Sequence, residues 1–437
     1  MAVKLPLVNV SQVDLNPVVE DIFFAGLLEQ CQVNETAPQW LRDIRQQAKN
    51  WLSHLSVPTR KDEDWRFIDL SSLTQGKFVV SQDTKAVYES LPETKHSCLV
   101  FVNGIYSSKL SDVSGLPKGV YVGSLANLPT DYDAAKYFAG QPGADAFTAL
   151  NTAGGNDVAV VWANKNAVME TPIHLVFIAD GESQSCFAQP RTLIVGETNS
   201  SISLIEEYFG KGEYFTNAVT EVYLNSNSRV NHTRLQQESD SSYHIGKTAV
   251  SQERDSHYTL NEINLGAKLL RHNPEVWQQG EQTEINLNGL TVATGEQTSD
   301  SHSIIALSKP HGITNQLHKC IVSDRAHTVF NGKVFVPKEA QLTDATQLNR
   351  NLMLSPKARV DTKPELQITA DNVKCAHGAT VSQLEAEEIF YLRSRGLSED
   401  DANQLLIDAF AADIVDRIPL ESLRGKITQT IEQKVKQ

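Results

Sequence analysis

The chain has 437 residues, 40% of them apolar and 21% charged, enough for a sizeable core and too apolar for a disordered chain or a disulfide miniprotein. Against 39 Lys and Arg stand 53 Asp and Glu, a formal net charge of −14, so non-specific binding to nucleic acid or to an anionic membrane is not expected. No apolar run has the ~18–20 residues of a membrane span, the opening MAVKLPLVNVSQVDLNP has no signal-peptide core, and the five widely spaced cysteines form no CxxC pair. These features predict a cytoplasmic protein with reduced thiols, built as one large domain with appendages or as two to three domains.

The first predicted element is a helix in APQWLRDIRQQAKNWLSHL, where Trp40, Leu41, Ile44, Ala48, Trp51, Leu52 and Leu55 recur at three- and four-residue steps before Pro58. The charged segment PTRKDEDWRF, Pro58 to Phe67, follows, and then mixed loop and strand signals to residue 95. From 96 to 384 the texture is β: HLVFIA, RTLIVGE, SISLIEEYF, AVTEVYL, TEINLNGLTVA and TVFNGKVFV carry β-branched and aromatic residues in partial alternation. Asn-, Ser- and Gly-rich corners such as LNSNSRVN, LNGL and FNGK separate them. A large sandwich or a β-solenoid fits. The unbroken succession of strands favours the solenoid, although no strict repeat length is visible.

Helices return after residue 384. EAEEIFYLRSRG closes at Gly396, and Ser398 with Asp401 resembles a capping box for a helix whose stripe contains Leu405, Leu406, Ala409, Phe410, Ile414 and Ile418. A last helix follows Pro419, with Leu420, Leu423, Ile427, Ile431 and Val435 on one side. Such stripes more often meet the chain's own core; a partner's docking face is the alternative.

HIGKT (His244 to Thr248) hints at a phosphate-binding loop, but Ser241 stands where that loop needs its first Gly, so no nucleotide is expected here. No GxGxxG, HExxH, GxSxG or EF-hand loop is present. Eight of the twelve histidines lie between His232 and His327 without ligand spacing, and read as scattered surface and turn residues. The densest chemistry is DNVKCAHGATV: in an extended strand Cys375 and His377 share a face, ~6–7 Å apart, where thiolate and imidazole address one metal or one cluster edge. Two ligands leave such a site to be completed by another strand, another chain or sulfide. The commoner use of a Cys-x-His is a buried thiol beside an ordinary histidine.

VDTKPELQI, DNVKCAHGATV and IFYLRSRG, in order from Val360 to Gly396, together with PTRKDEDWRF, FNGK (Phe330 to Lys333) and NRNLML (Asn349 to Leu354), closely resemble the SufD branch of the SufB/SufD family of the SUF iron–sulfur cluster assembly machinery. The markers span most of the chain. The resemblance implies a mainly β fold, a right-handed parallel β-helix over 96–384 between helical regions at 1–95 and 385–437. It implies a non-catalytic scaffold that pairs with SufB through the β-helices and binds the ATPase SufC through its C-terminal helices, with a part in iron acquisition. Transient iron or a nascent cluster, shared with SufB, would then meet His377 and, less directly, Cys375; Leu405, Leu406 and Phe410 are candidates for the SufC surface. SufB differs in carrying a Glu-containing segment where this chain has His377 to Thr380, and a cysteine where Leu392 stands. A homodimeric metal-binding or structural protein is the nearer alternative, and a β-helical polysaccharide lyase or hydrolase the more distant one, lacking an evident carboxylate pair.

Overall fold

A computed structural model describes residues 21–31, 37–81, 86–141, 143 and 145–436. The chain enters through helices α1 (Ile22–Leu28), α2 (Gln39–Leu52) and α3 (Ser71–Thr74), continues into strands β1 (Cys98–Val102), β2 (Ile105–Tyr106) and β3 (Val120–Ser124), and crosses by α4 (Ala146–Gly154). Then follow β4 (Ala159–Ala163), β5 (Ile173–Ala188), β6 (Arg191–Gly196), β7 (Ser201–Leu224), β8 (Arg229–Gln237), β9 (Tyr243–Gln252), β10 (His257–Asn264) and β11 (Leu269–Gln278). The β body ends with β12 (Glu284–Ala293), β13 (Thr298–Ala306), β14 (Ile313–Val322), β15 (His327–Val336), β16 (Asp344–Met353), β17 (Arg359–Ile368) and β18 (Lys374–Ser382). Helices α5 (Ala386–Ser394), α6 (Glu399–Val415) and α7 (Glu421–Val435) close the chain.

β8 lies in parallel between β7 and β10, and every strand from β9 onward pairs in parallel with the strand two before it and, where one exists, the strand two after it. The result is a parallel β-solenoid with two ladders. One runs through β5, the first part of β7, β8, β10, β12, β14, β16 and β18; the other runs through β4, β6, the second part of β7, β9, β11, β13, β15 and β17. Arg229, His257, Glu284, Ile313, Asp344 and Lys374 occupy one column at unequal sequence spacings, which is why no strict repeat shows in the sequence. The polar corners stack as expected: Asn199, Asn227 and Asp255 have φ of 62°, 58° and 59°, and Asn227 donates to Asn199, which donates to Asn166, each at 2.9 Å.

The two ladders are covered differently on their outer faces. α6 and α7 lay Ile407, Ala411, Ile414, Leu423, Ile427 and Ile431 over Leu235, Ile263, Leu290 and Ile321 of the first ladder. Ser398 caps α6, its Oγ accepting from the Asp401 amide at 3.1 Å and donating to the Asp401 carboxylate at 2.6 Å. On the second ladder the PTRKDEDWRF segment acts as a strap across four strands. Arg271 of β11 donates to the Asp64 carbonyl at 2.5 Å and to Asp300 of β13 at 2.6 Å, and its guanidinium lies 4.0 Å over the Trp65 ring. Lys333 of β15 donates to the Asp64 carboxylate at 2.7 Å, and Lys363 of β17 to Glu63 at 3.1 Å.

Inward positions divide between aliphatic residues, such as Leu204, Leu287 and Val334, and a polar cluster. The histidines correct the sequence reading here. His232, His244, His272 and His318 are buried and point into the solenoid, because strand alternation turns them inward, where carboxylates meet the first three and the Thr291 hydroxyl meets His318 at 3.2 Å. His232 pairs with Glu206 at 3.1 Å, His244 with Glu238 at 2.6 Å and His272 with Glu262 at 2.8 Å, while Arg234 bonds to His244 and lies 3.9 Å from Glu262. A Cβ at Gly289 would meet the His318 ring at 2.1 Å, so the adjacent rung has a glycine where the imidazole needs space.

Burial alone would raise the Glu206 carboxyl, but His232, Thr220 and Arg234 outweigh it and hold it at about 2, against an ordinary 4.5. Burial and the Arg234 charge lower the His272 imidazole to about 4 from 6.5, against the pull of Glu262. Both shifts are downward, so both contribute stability above the unfolded-chain values that is lost as pH falls, from about 6.5 toward 4 for the imidazole and from about 4.5 toward 2 for the carboxylate. A melting series is expected to show the midpoint falling steadily below about pH 6; a flat profile down to pH 4 would contradict the buried network. Asp64→Ala removes the contacts with Lys333 and His302, and is expected to raise amide exchange and protease cutting within residues 58–67 while the inner strands stay protected.

Candidate functional site

A parallel ladder leaves unpaired backbone at its last strand, and inward side chains there have no rung above them. Among the described residues β17 pairs only with β15, and β18 only with β16. The terminal turn therefore shows its inner face to the surroundings. Ile368 and Val381, on columns that are buried one turn earlier, are 38% and 51% exposed.

Cys375 and His377 both belong to this face. The register sets Cys375 beside Ala345 and His377 beside Gln347, and both of those neighbours are buried inward residues of β16. The expectation of an extended strand with both side chains on one face is met. Cys375 is half-buried against the aliphatic interior, and burial, with the Asp344 charge, pushes its thiol up. It is a protonated thiol seated at the end of the core. His377 is exposed. Among the described residues no group of three or more His, Cys, Asp or Glu is gathered that could hold a metal ion, so this face brings two donors together and no complete cage.

Leu405, Leu406 and Phe410 stand elsewhere, on α6 along the flank of the solenoid. The side of α6 that packs on the β body is formed by Ala402, Ile407, Ala411 and Ile414, which leaves Leu405 exposed and Leu406 and Phe410 half-buried. Lys319 lies 4.4 Å over the Phe410 ring and donates to the Phe410 carbonyl at 2.8 Å, which ties this part of α6 to β14. The adjoining α5 has no buried residue, with Phe390 and Tyr391 at 74% and 57% exposure. Both aromatics belong to the IFYLRSRG motif, but nothing in the sequence marks them as surface. A polar groove along the stacked corners is less informative, since its His257–Glu284 and Arg254–Asp255 pairs satisfy one another at 2.9 and 3.1 Å.

No helix among the described residues is long and apolar enough to cross a membrane. The family model for the SUF system FeS cluster assembly SufBD core domain matches residues 177–410, and that for the SufBD protein N-terminal region matches 26–175. The chain is 48% identical over 424 residues to an iron–sulfur cluster assembly SufBD family protein of Synechocystis, covering 93% of this chain and 94% of that one. It is 36% identical over 400 residues to the chloroplastic protein ABCI7 of Arabidopsis thaliana, covering 88% and 84%. With the iron–sulfur cluster assembly protein SufD of Escherichia coli it shares 31% over 400 residues, covering 89% and 92%. The uncapped parallel solenoid, its terminal Cys-x-His strand and these full-length similarities together place the chain in the SufB/SufD family of the SUF iron–sulfur cluster assembly system.

Proposed function

We propose that the chain is a non-catalytic SufD-type scaffold subunit, that the open end formed by β17 and β18 pairs with a SufB-type subunit, and that His377 faces iron or a nascent cluster across that interface. Cys375 is its neighbour in this role. The observation that carries the reading is the placement of both side chains on the inner face of β18, where no rung among the described residues covers them. A neutral imidazole binds Fe(II) and releases it more readily than a set of thiolates, which suits a site that passes iron on. With two donors at the site, the remaining ligands come from the partner or from sulfide. In isolation the same edge can pair with a copy of itself. The chain binds no nucleotide in this scheme. ATP is hydrolysed by a SufC-type partner, docked on the C-terminal helical region at 385–437, beyond the helical region at 1–95 and the β-helix at 96–384. Leu405, Leu406 and Phe410 are the docking candidates, supported by the exposure of Leu405 on α6 and of Phe390 and Tyr391 on the adjoining α5.

In a reconstituted complex, His377→Ala is expected to lower iron retention and cluster yield several-fold with the complex intact. Cys375→Ala is expected to have the smaller effect, since its thiol is protonated and partly withdrawn. Normal cluster yield from an intact His377→Ala complex would refute the assignment. Deleting the helices is a poor test of SufC docking, because α6 and α7 cover Leu235, Ile263 and Leu290 and their loss would bare that surface. Leu405→Glu is the cleaner variant. It is expected to weaken SufC capture about tenfold, corresponding to ~1.4 kcal/mol, with the melting temperature unchanged; undiminished capture would contradict the docking surface.

A further inference from the structure

The column that ends in His377 is a chain of amides with one unmet end. Gln316 of β14, Gln347 of β16 and His377 of β18 are consecutive in register and share the inward face. Gln316 Nε2 donates to Ser303 Oγ at 2.7 Å, and Gln347 Nε2 donates to Gln316 Oε1 at 2.8 Å. Each amide thus passes a hydrogen bond down the column, and each is fixed in orientation by the one before. Gln347 is 1% exposed, and its Oε1 has no hydrogen-bond partner. A buried acceptor left unmet is destabilising, so this oxygen calls for a donor. The next member of the column is the imidazole.

The surroundings keep this amide in place. A Cβ at Gly332, the glycine of FNGK, would stand 2.2 Å from Gln347 Nε2, so the neighbouring ladder gives up a side chain to make room for it. An imidazole that offers one ring nitrogen to a metal holds a proton on the other, and that N–H requires an acceptor to set the ring's tautomer and direction. Adjacent strands in a ladder lie ~4.8 Å apart, within reach of a side-chain contact between neighbours on one face.

We propose that Gln347 is the positioning residue for His377: its Oε1 accepts the imidazole N–H, selects the tautomer and turns the other nitrogen out of the open end toward incoming iron. This rests on the assignment of His377 made above and extends it by one residue. The role needs no charge on Gln347, and it explains why the column changes from aliphatic Leu287 to amides over the turns nearest the open end.

Two measurements test it. The first is 15N NMR of the ring nitrogens in the full-length chain labelled at histidine, at a pH where the imidazole is neutral. Wild type is expected to show His377 held in one tautomer, Gln347→Leu a mixture like that of free imidazole, and Gln347→Glu, which keeps an acceptor, one tautomer again. The second is Fe(II) retention in the complex with the SufB-type partner. Gln347→Leu is expected to lower affinity about tenfold, with Gln347→Glu recovering most of it and melting curves confirming that each variant is folded. Should Gln347→Leu prove too unstable, Gln347→Met removes the acceptor at similar volume. Loss of iron in His377→Ala with wild-type retention and tautomer in Gln347→Leu would overturn this inference alone. Wild-type retention in His377→Ala would overturn the assignment of His377 and this inference with it.

Discussion

A strand in a parallel ladder has its backbone and its inward side chains satisfied only where another strand lies on each side of it. In this chain that condition holds along the solenoid and ends at β17 and β18. The other end is handled differently: β1 to β3 bring antiparallel pairing, and α1 and α4 pack on Phe187, Phe215 and Tyr243 of β5, β7 and β9. The flanks are covered too, by α6 and α7 on one ladder and by the strap at Asp64 and Trp65 on the other. Among the described residues the terminal rung stays bare, carrying a thiol and an imidazole with a buried amide behind them.

The interior shows a second constraint. Most solenoid rungs stack aliphatic residues, yet this one encloses Glu206, Glu238 and Glu262 with four imidazoles and Arg234. Removing carboxylates from water costs several kcal/mol each unless partners are near, and here every one has an imidazole within hydrogen-bonding distance. Such a cluster is rigid when satisfied and intolerant of loss of a member. It lies on the same ladders as the open end, so the frame that presents His377 depends on those pairs staying intact.

The β solenoid and its terminal helices were legible in the sequence because β-branched segments, Asn-rich corners and capping signals are local features. The Cys375 and His377 pairing on one face was legible too, since two-residue spacing in a strand is enough to set it. Register was not. Coil length varies from turn to turn, so nothing local shows that His377 follows Gln347 or that His244 and His272 turn inward. The histidine pattern was read as surface for that reason. On α6 the stripe was seen but its packed side was not resolved: Ile407 and Ala411 meet the β body where Leu405 was the more conspicuous residue. Phe390 and Tyr391 were legible as part of a motif but not as surface, because a short helix with apolar residues gives no sign of which face is bare.

The central claim, that the uncapped rung is the pairing surface, is tested most directly by hydrogen–deuterium exchange of the chain with and without its SufB-type partner. The account predicts that amides of β17 and β18 exchange quickly alone and become strongly protected in the complex. Protection confined to other parts of the chain, with β18 exchanging as fast as before, would contradict it.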